Sequence, residues 1–464
     1  MPTPPPGLAA GLDRLFGLSA RGTTVRTEVL AGATTFMTMA YILFVNPVIL
    51  GKVQDLDGTR LAHAAVLTST ALVAAVMTLA MGLLANLPLA LAAGMGLNSV
   101  VAFQLVAGLK LTWPQAMGVV VAEGLVIAAL VVTGLRQAVV KAVPASMKKA
   151  IGIGIGLFLA IIGFVDAGFV SRSPADPVPV TLGAGGHLRG FPVVLFAATL
   201  ILTGFLVLRR VRGALLVGLL ASTLVAVAAK AIWGPASGFE PWQVVLPRSP
   251  VALPDFSLLG KFDLGFVQVL GGAAAALTVF SIMLSDFFDT VGTVVAVGQE
   301  ARYLDAEGNY PRAGTVLLVD SLAAAAGGAA GCSSATTYVE SAAGAAAGGR
   351  TGLASVVTGL LFGACLFISP LAAVVPPQAT GAVLVLVGFL MMRDVGSLPW
   401  EDASESIPAF LVLTVMPFTY SITNGIGAGF LAYVVLKALS GRAREVRPLM
   451  WIAAAAFLVH FVIS

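Results

Sequence analysis

Apolar runs recur along the chain from end to end, and the polar residues collect in the short loops between them. A helix needs about 20 predominantly apolar residues to cross the hydrocarbon of a bilayer. By that measure the pattern predicts spans at 27–50, 65–88, 92–108, 114–134, 147–168, 189–208, 213–233, 265–297, 313–330, 335–348, 351–374, 378–392, 406–421 and 423–439. The third and the tenth are too short to cross alone. Each follows an extended-looking stretch, Leu87 to Ala90 and Gly328 to Ser334. Non-helical backbone survives at membrane depth only where protein covers it or where it lines a cavity. Both stretches are therefore expected to face each other inside the protein. An odd number of spans in each half makes the second half enter inverted, which is the geometry of an inverted repeat.

The two interrupted segments sit at matching places in the halves and carry polar side chains. The first reads Ala92-Ala93-Gly94-Met95-Gly96-Leu97-Asn98-Ser99, the second Gly331-Cys332-Ser333-Ser334-Ala335-Thr336-Thr337-Tyr338-Val339-Glu340-Ser341. Paired, Gly-interrupted apolar segments of this kind point to the substrate site of a secondary transporter.

Composition fixes the class. The chain is 58% hydrophobic and 10% charged, with a mean hydropathy of +0.98, where a soluble protein is roughly 45–50% apolar and about 25% charged. This is a multi-pass protein of the cell membrane. Its 52 glycines suit helices whose backbones approach closely in lipid. The formal charge of +4 is small, and the basic residues lie beside apolar segments, so they speak to orientation and not to nucleic acid. Arg14, Arg21, Arg26, Arg136, Lys141, Lys148, Lys149, Arg209, Arg210, Arg212, Arg302, Arg312, Arg393, Arg442, Arg444 and Arg447 fall on one side if the span count holds. The positive-inside rule then places the N-terminus in the cytoplasm. No signal peptide is read at the start, where Leu8 to Leu18 is amphipathic and suits the membrane surface. The apolar stretch from Leu449 to Ser464 fits a span, a re-entrant piece or an interfacial helix equally well. Cys332 and Cys365 imply no disulfide framework. His63, His187 and His460 are scattered, so neither a metal nor a cofactor is called for.

Ionisable groups at membrane depth are costly, and their default reading is functional. The eighth span carries Asp286 and Asp289, three apart and so on one helix face with Thr290 and Thr293. Glu340 lies in the tenth span behind Tyr338, and Glu123 and Asp320 lie in the fourth and ninth. For Glu123 and Asp320, helix capping or bonding to neighbouring hydroxyls is as good a reading as function. No lysine or arginine adjoins the acids in sequence, and a carboxylate taken out of water without a cation is relieved by holding a proton. That is the requirement for proton coupling. An ionised partner would accept strong, charge-assisted bonds from a ligand's N–H groups. Phe287, Phe288 and Tyr338 offer faces to a flat ring, although aromatic residues in spans more often serve packing.

Arg26-Thr27-Glu28-Val29-Leu30-Ala31-Gly32, Ala93-Gly94-Met95-Gly96-Leu97-Asn98, Phe288-Asp289-Thr290-Val291-Gly292-Thr293, Thr336 to Gly344, and Pro417-Phe418-Thr419-Tyr420-Ser421-Ile422 with Asn424-Gly425 resemble the AzgA-type purine permeases of the nucleobase–cation symporter family 2. The resemblance covers nearly the whole chain. It implies an all-α polytopic fold of about 14 spans in two inverted repeats of seven, with short strands before half-helices three and ten. It divides the chain into a cytoplasmic segment 1–26, a core domain 27–134 with 263–374, a gate domain 147–233 with 378–464, and an extracytoplasmic linker 234–262. It further implies import of adenine, guanine or hypoxanthine with protons, the core sliding against the gate. The implied substrate contacts are Asn98, Asp286, Phe287, Asp289, Thr293, Tyr338 and Glu340, and the proton is assigned to Asp286, Asp289 and Glu340. Which eighth-span acid meets the base is left open. Ser99 to Phe103 departs from the more aromatic stretch common in the family, which bears on base selectivity. Relatives are commonly dimers, although no span here declares an interface.

Two other readings stand beside this one. An anion carrier of the same architecture, for sulfate or bicarbonate, would favour cations or helix N-termini without nearby carboxylates, and a uracil or xanthine carrier would differ only in its base. An intramembrane enzyme is disfavoured. Asp286 and Asp289 share one helix, and neither a Gly-x-Ser-x-Gly nucleophile motif nor a zinc signature occurs.

Overall fold

A computed structural model describes residues 8–134, 143–171, 180–183, 186–240, 243–247, 249–301, 303 and 312–463. Arg136, Lys141 and Arg302, named above for orientation, lie outside the described residues, as does the side chain of Phe288. Helix is the dominant structure, as expected where every backbone N–H and C=O must find its partner without water. Among the described residues, ten helical runs are long and apolar enough to cross a membrane: Val25–Lys52, His63–Ala85, Trp113–Val132, Ala145–Asp166, Phe191–Leu208, Ala214–Ser237, Ala313–Ala330, Gly352–Leu371, Pro377–Ser397 and Ile422–Leu439. Gly272–Glu300 is a further helix of 29 residues, and Ala403–Thr419 and Pro448–Ile463 are shorter apolar ones. The C-terminal stretch is thus helical, and it packs on Ile422–Leu439. Local sequence sets several of the starts. Thr112 and Gln115 form a reciprocal capping box before Trp113–Val132, and Asp402 and Ser421 cap Ala403–Thr419 and Ile422–Leu439.

The centre of the molecule is where two chain segments leave helix. Strand β1 (Leu91–Ala93) pairs antiparallel with strand β4 (Ala335–Thr337), with Leu91 opposite Thr337 and Ala93 opposite Ala335. The ladder continues beyond both strands, Gly94 N donating to Ser334 O (2.8 Å) and Tyr338 N to Ala90 O (2.9 Å). Side-chain hydroxyls satisfy the backbone that the ladder leaves over. Thr78 Oγ1 accepts from Leu91 N (2.9 Å), Ser341 Oγ accepts from Ala90 N (3.0 Å), and Ser355 Oγ lies 2.8 Å from the carbonyl oxygens of both Leu87 and Leu89. A short helix leaves each strand, Met95–Ser99 continuing as a wider helical turn over Val100–Gly108, and Ser341–Ala346. The other paired strands, β2 (Val170–Ser171) and β3 (Thr181–Leu182), form a small hairpin in a loop.

Two sequence expectations shift here. The stretch expected to be extended from Gly328 is helical through Ala330, and the helix ends at Gly331, whose φ of +79° suits glycine. Residues 335–337, expected to begin the tenth helix, form the strand instead. They lie opposite Leu91–Ala93, and the pairing satisfies backbone groups of both segments at once.

Helices on either side of this crossing fall into two packing sets. Trp113–Val132 packs on Ala313–Ala330, and Gly352–Ala364 packs on both His63–Ala80 and Val25–Met39. Ala145–Asp166 packs on Pro377–Met391 and Ala403–Thr419, and Ala403–Thr419 packs on Ile422–Leu439. Lipid supplies no hydrophobic drive between helices, so close van der Waals approach carries the association. Gly156 and Gly388 face each other so tightly that a Cβ on either would meet the other's carbonyl oxygen at 2.7 or 2.3 Å, and Gly163 and Gly381 repeat the arrangement at 2.5 and 2.7 Å.

Candidate binding site at the strand crossing

Gly272–Glu300 passes the strand pair, and its polar residues divide between two directions. Thr290 and Asp320 anchor it to β4. Thr290 Oγ1 donates to Asp320 Oδ2 (2.7 Å) and lies 2.7 Å from Thr336 Oγ1. Asp320 Oδ1 accepts from Thr337 N (2.9 Å) and Thr336 Oγ1 (3.3 Å). The hydroxyl-bonding reading of Asp320 is the one its geometry supports. Its carboxylate fixes the strand against the eighth-span helix.

On one side lie Asp289 and Glu340, both partly accessible. Asp289 sits within electrostatic range of Glu340, Tyr338 and Tyr41. Glu340 is the residue just before Ser341–Ala346. Its Oε1 accepts from Tyr41 Oη at 2.5 Å, and its backbone oxygen accepts from Thr38 Oγ1 at 3.3 Å. Tyr338 is buried, with its hydroxyl donating to the Ala93 carbonyl, so its ring bridges the two strand ends. In the other direction Asp286 is fully buried and faces Glu123 of Trp113–Val132.

Asn98 lies on the short helix after β1, fully buried, and neither its Nδ2 nor its Oδ1 has a hydrogen-bond partner among the described residues. Both oxygens of Asp286 and Oε1 of Glu123 share that condition. Leaving a buried polar group unpaired costs about 1–3 kcal/mol, and in a native structure each such group calls for an explanation. The remaining expected contacts differ in setting. Phe287 is buried within the main apolar cluster, and Thr293 is buried one turn along from Thr290. Among the described residues, the ion pairs that Lys52, Lys437 and Arg442 make are to Asp166, Asp402, Glu405 and Glu445, away from these acids.

Tyr41 and Thr38 are site neighbours that the sequence reading passed over. Both lie inside an unbroken apolar run, and the only signal was a hydroxyl-rich stretch, Thr34, Thr35, Thr38 and Tyr41, along one span.

The comparisons with known proteins agree with this architecture. The transmembrane domain of a cyanobacterial bicarbonate transporter, BicA, matches with a TM-score of 0.62 at 14% identity, covering 87% of this chain and 97% of that one. At that identity the likeness shows the fold alone. The adenine permease AdeP of Escherichia coli is 38% identical over 97% of this chain and 96% of its own length. The guanine/hypoxanthine permease PbuG of Bacillus subtilis is also 38% identical, over 97% of this chain and 99% of its own. The profile of the permease family matches residues 26–428. With a family match over most of its length and end-to-end likeness to such relatives, this chain belongs to the permease family and, within it, to the AzgA-type permeases that its motifs resemble.

Proposed function

We propose that this protein imports purine nucleobases together with protons, holding the base between Asp289, Glu340 and Asn98. The observation that carries the reading is the pair of partly accessible acids, with no ion-pair partner among the described residues, beside the strand crossing that also leads into the helix of the buried Asn98 amide. A purine presents N–H donors and ring acceptors along its edge. Carboxylates accept strongly from such donors, and a carboxamide both donates and accepts. The names of the relatives, adenine and guanine/hypoxanthine permeases, support the same substrate class. Asp289 is then the eighth-span acid that meets the base, and Asp286 belongs to the proton. The set around 27–134 and 263–374 acts as the core that carries the site, sliding against a gate of 147–233 and 378–464. The basic loop residues support a cytoplasmic N-terminus in the cell membrane. An anion such as bicarbonate would meet two carboxylates at this site, so the anion reading loses ground despite the shared fold. The function is carriage and not catalysis.

Uptake of labelled adenine and hypoxanthine into cells lacking their own purine carriers tests the reading. Removing one charge-assisted hydrogen bond costs about 1.5–3 kcal/mol, so Asp289→Asn or Glu340→Gln should lower uptake roughly tenfold to a hundredfold with the protein still in the membrane. Wild-type rates in both variants overturn the site. A protonophore should abolish accumulation, and uptake indifferent to it removes the coupling. Competition by uracil, xanthine and sulfate in the same assay separates the other readings, since only purines of the adenine, guanine and hypoxanthine type should compete.

A further inference from the structure

Glu123 is the acid that neither the binding site nor the anchoring of the strands uses. It projects from the middle of Trp113–Val132, is fully buried, and sits where that helix packs on Gly272–Glu300, beside the buried Asp286 carboxyl. Its Oε2 accepts a long bond from Ser334 Oγ (3.4 Å), and its Oε1 has no partner. Neither oxygen of Asp286 finds a donor among the described residues. Two ionised carboxylates have only lone pairs to offer each other, which explains why these buried oxygens are orphaned although they adjoin. One proton between them changes this at a stroke, because a protonated carboxyl donates where a carboxylate only accepts.

The charges around the pair allow no other settlement. The titratable groups facing it are Asp320 from Ala313–Ala330 and Asp289 from the same helix as Asp286. Ser334, on the segment that leads into β4, contributes a neutral hydroxyl. Among the described residues, the charged neighbours of the pair are acidic. Like charges in contact out of water cannot both ionise.

We propose that Glu123 and Asp286 form a carboxyl–carboxylate pair that holds one shared proton, and that Glu123 is the positioning residue that seats the transported proton on Asp286, one helical turn from the base-binding Asp289. This inference rests on the transport reading above. The proton enters and leaves as itself, so no bond to carbon is made or broken. When it departs, the pair becomes two adjoining carboxylates whose charged neighbours among the described residues are acidic, which is unfavourable, so the outward step and re-protonation become linked. Ser334 joins Glu123 to the strand that leads to Glu340, so the state of the pair reaches the substrate side through a stretch of a few residues.

The experiment has two arms. In the first, difference infrared spectra of the purified wild-type protein are recorded across pH. They should show the carbonyl stretch of a protonated carboxyl, and Glu123→Gln should remove or displace it. A wild type without that band overturns the proposal, whatever the protein transports. In the second, adenine uptake into proteoliposomes is measured against pH. Glu123→Gln gives Asp286 a fixed N–H donor in place of a shared proton, so the pH dependence of uptake should flatten and uphill accumulation fall at least tenfold. Glu123→Asp, which keeps a carboxyl, should restore part of the pH dependence. Glu123→Gln that accumulates adenine with the wild-type pH profile overturns the proposal. A wild type that shows the infrared band but moves no purine instead overturns the transport reading and leaves the pair standing.

Discussion

Glu28 is fully buried, and its two carboxylate oxygens accept from the backbone N–H groups of Arg350 (2.8 Å) and Thr351 (3.2 Å). It lies in one of the family motifs, yet what it does is hold the start of the Gly352–Ala364 helix, where first-turn N–H groups lack helical partners. Membership of a family motif therefore does not by itself make Glu28 a site residue. Each of its oxygens has a backbone donor, and those donors come from neighbours distant in sequence. Asp402, outside the spans, gives a residue-scale test of the structural kind. Its carboxylate accepts from Ser404 Oγ (2.7 Å), Arg442 Nη1 (2.7 Å) and Ser404 N (2.9 Å). The Ser404 hydroxyl and the Arg442 guanidinium hold the carboxyl well below the usual carboxylate range. A depressed acid of this sort adds stability above the ordinary carboxylate pKa and loses it as pH falls. Asp402→Asn should thus melt below the wild type at neutral pH, with the two curves converging under acid conditions. A constant offset at all pH values excludes the ionised form as the cause.

Element lengths were legible in the sequence, because an apolar run must match the bilayer thickness and little else produces one. The half-helices were legible too, through their glycines and their shortness. The strands were placed a few residues early. Three residues carry no period of their own, and only the partner segment decides which of them pair. Packing between elements was hidden for a similar reason, since glycine is common here and only contact shows which ones matter. Gly156 with Gly388 and Gly163 with Gly381 press Ala145–Asp166 against Pro377–Met391 backbone to backbone. Gly388→Leu should push these helices apart and cost about 1–3 kcal/mol, the usual scale of overpacking. Thermal unfolding in detergent measures the loss. An unchanged midpoint means that the helices part without penalty and that their close approach is not what holds them.

At the scale of the molecule, polar ties among the described residues join the two packing sets of helices. Lys52, ending the first span, pairs with Asp166 at the end of Ala145–Asp166. Gln104 reaches across from the half-helix, its Nε2 donating to Thr423 Oγ1 (2.6 Å) and its Oε1 accepting from Ile422 N (3.1 Å). If the core slides against the gate, the Lys52–Asp166 contact must break in every cycle. Lys52→Cys together with Asp166→Cys, joined by a bis-maleimide linker that carries a cleavable disulfide, should stop uptake, and a reductant that cuts the linker should restore it. Full uptake by the cross-linked protein rules out relative movement at that point. The sequence announced two halves. It could not announce these ties, because each joins residues from spans far apart in the chain.

Leu91 and Thr337 face each other in the strand pair although more than half the chain separates them. Backbone at that depth has no water to turn to, so β1 lacks its mate for as long as the second half is still on the ribosome. Maturation of this protein is therefore decided late in translation. The early half must wait in the membrane with its centre open, and a chain cut short before Ala335 leaves that opening without a closure.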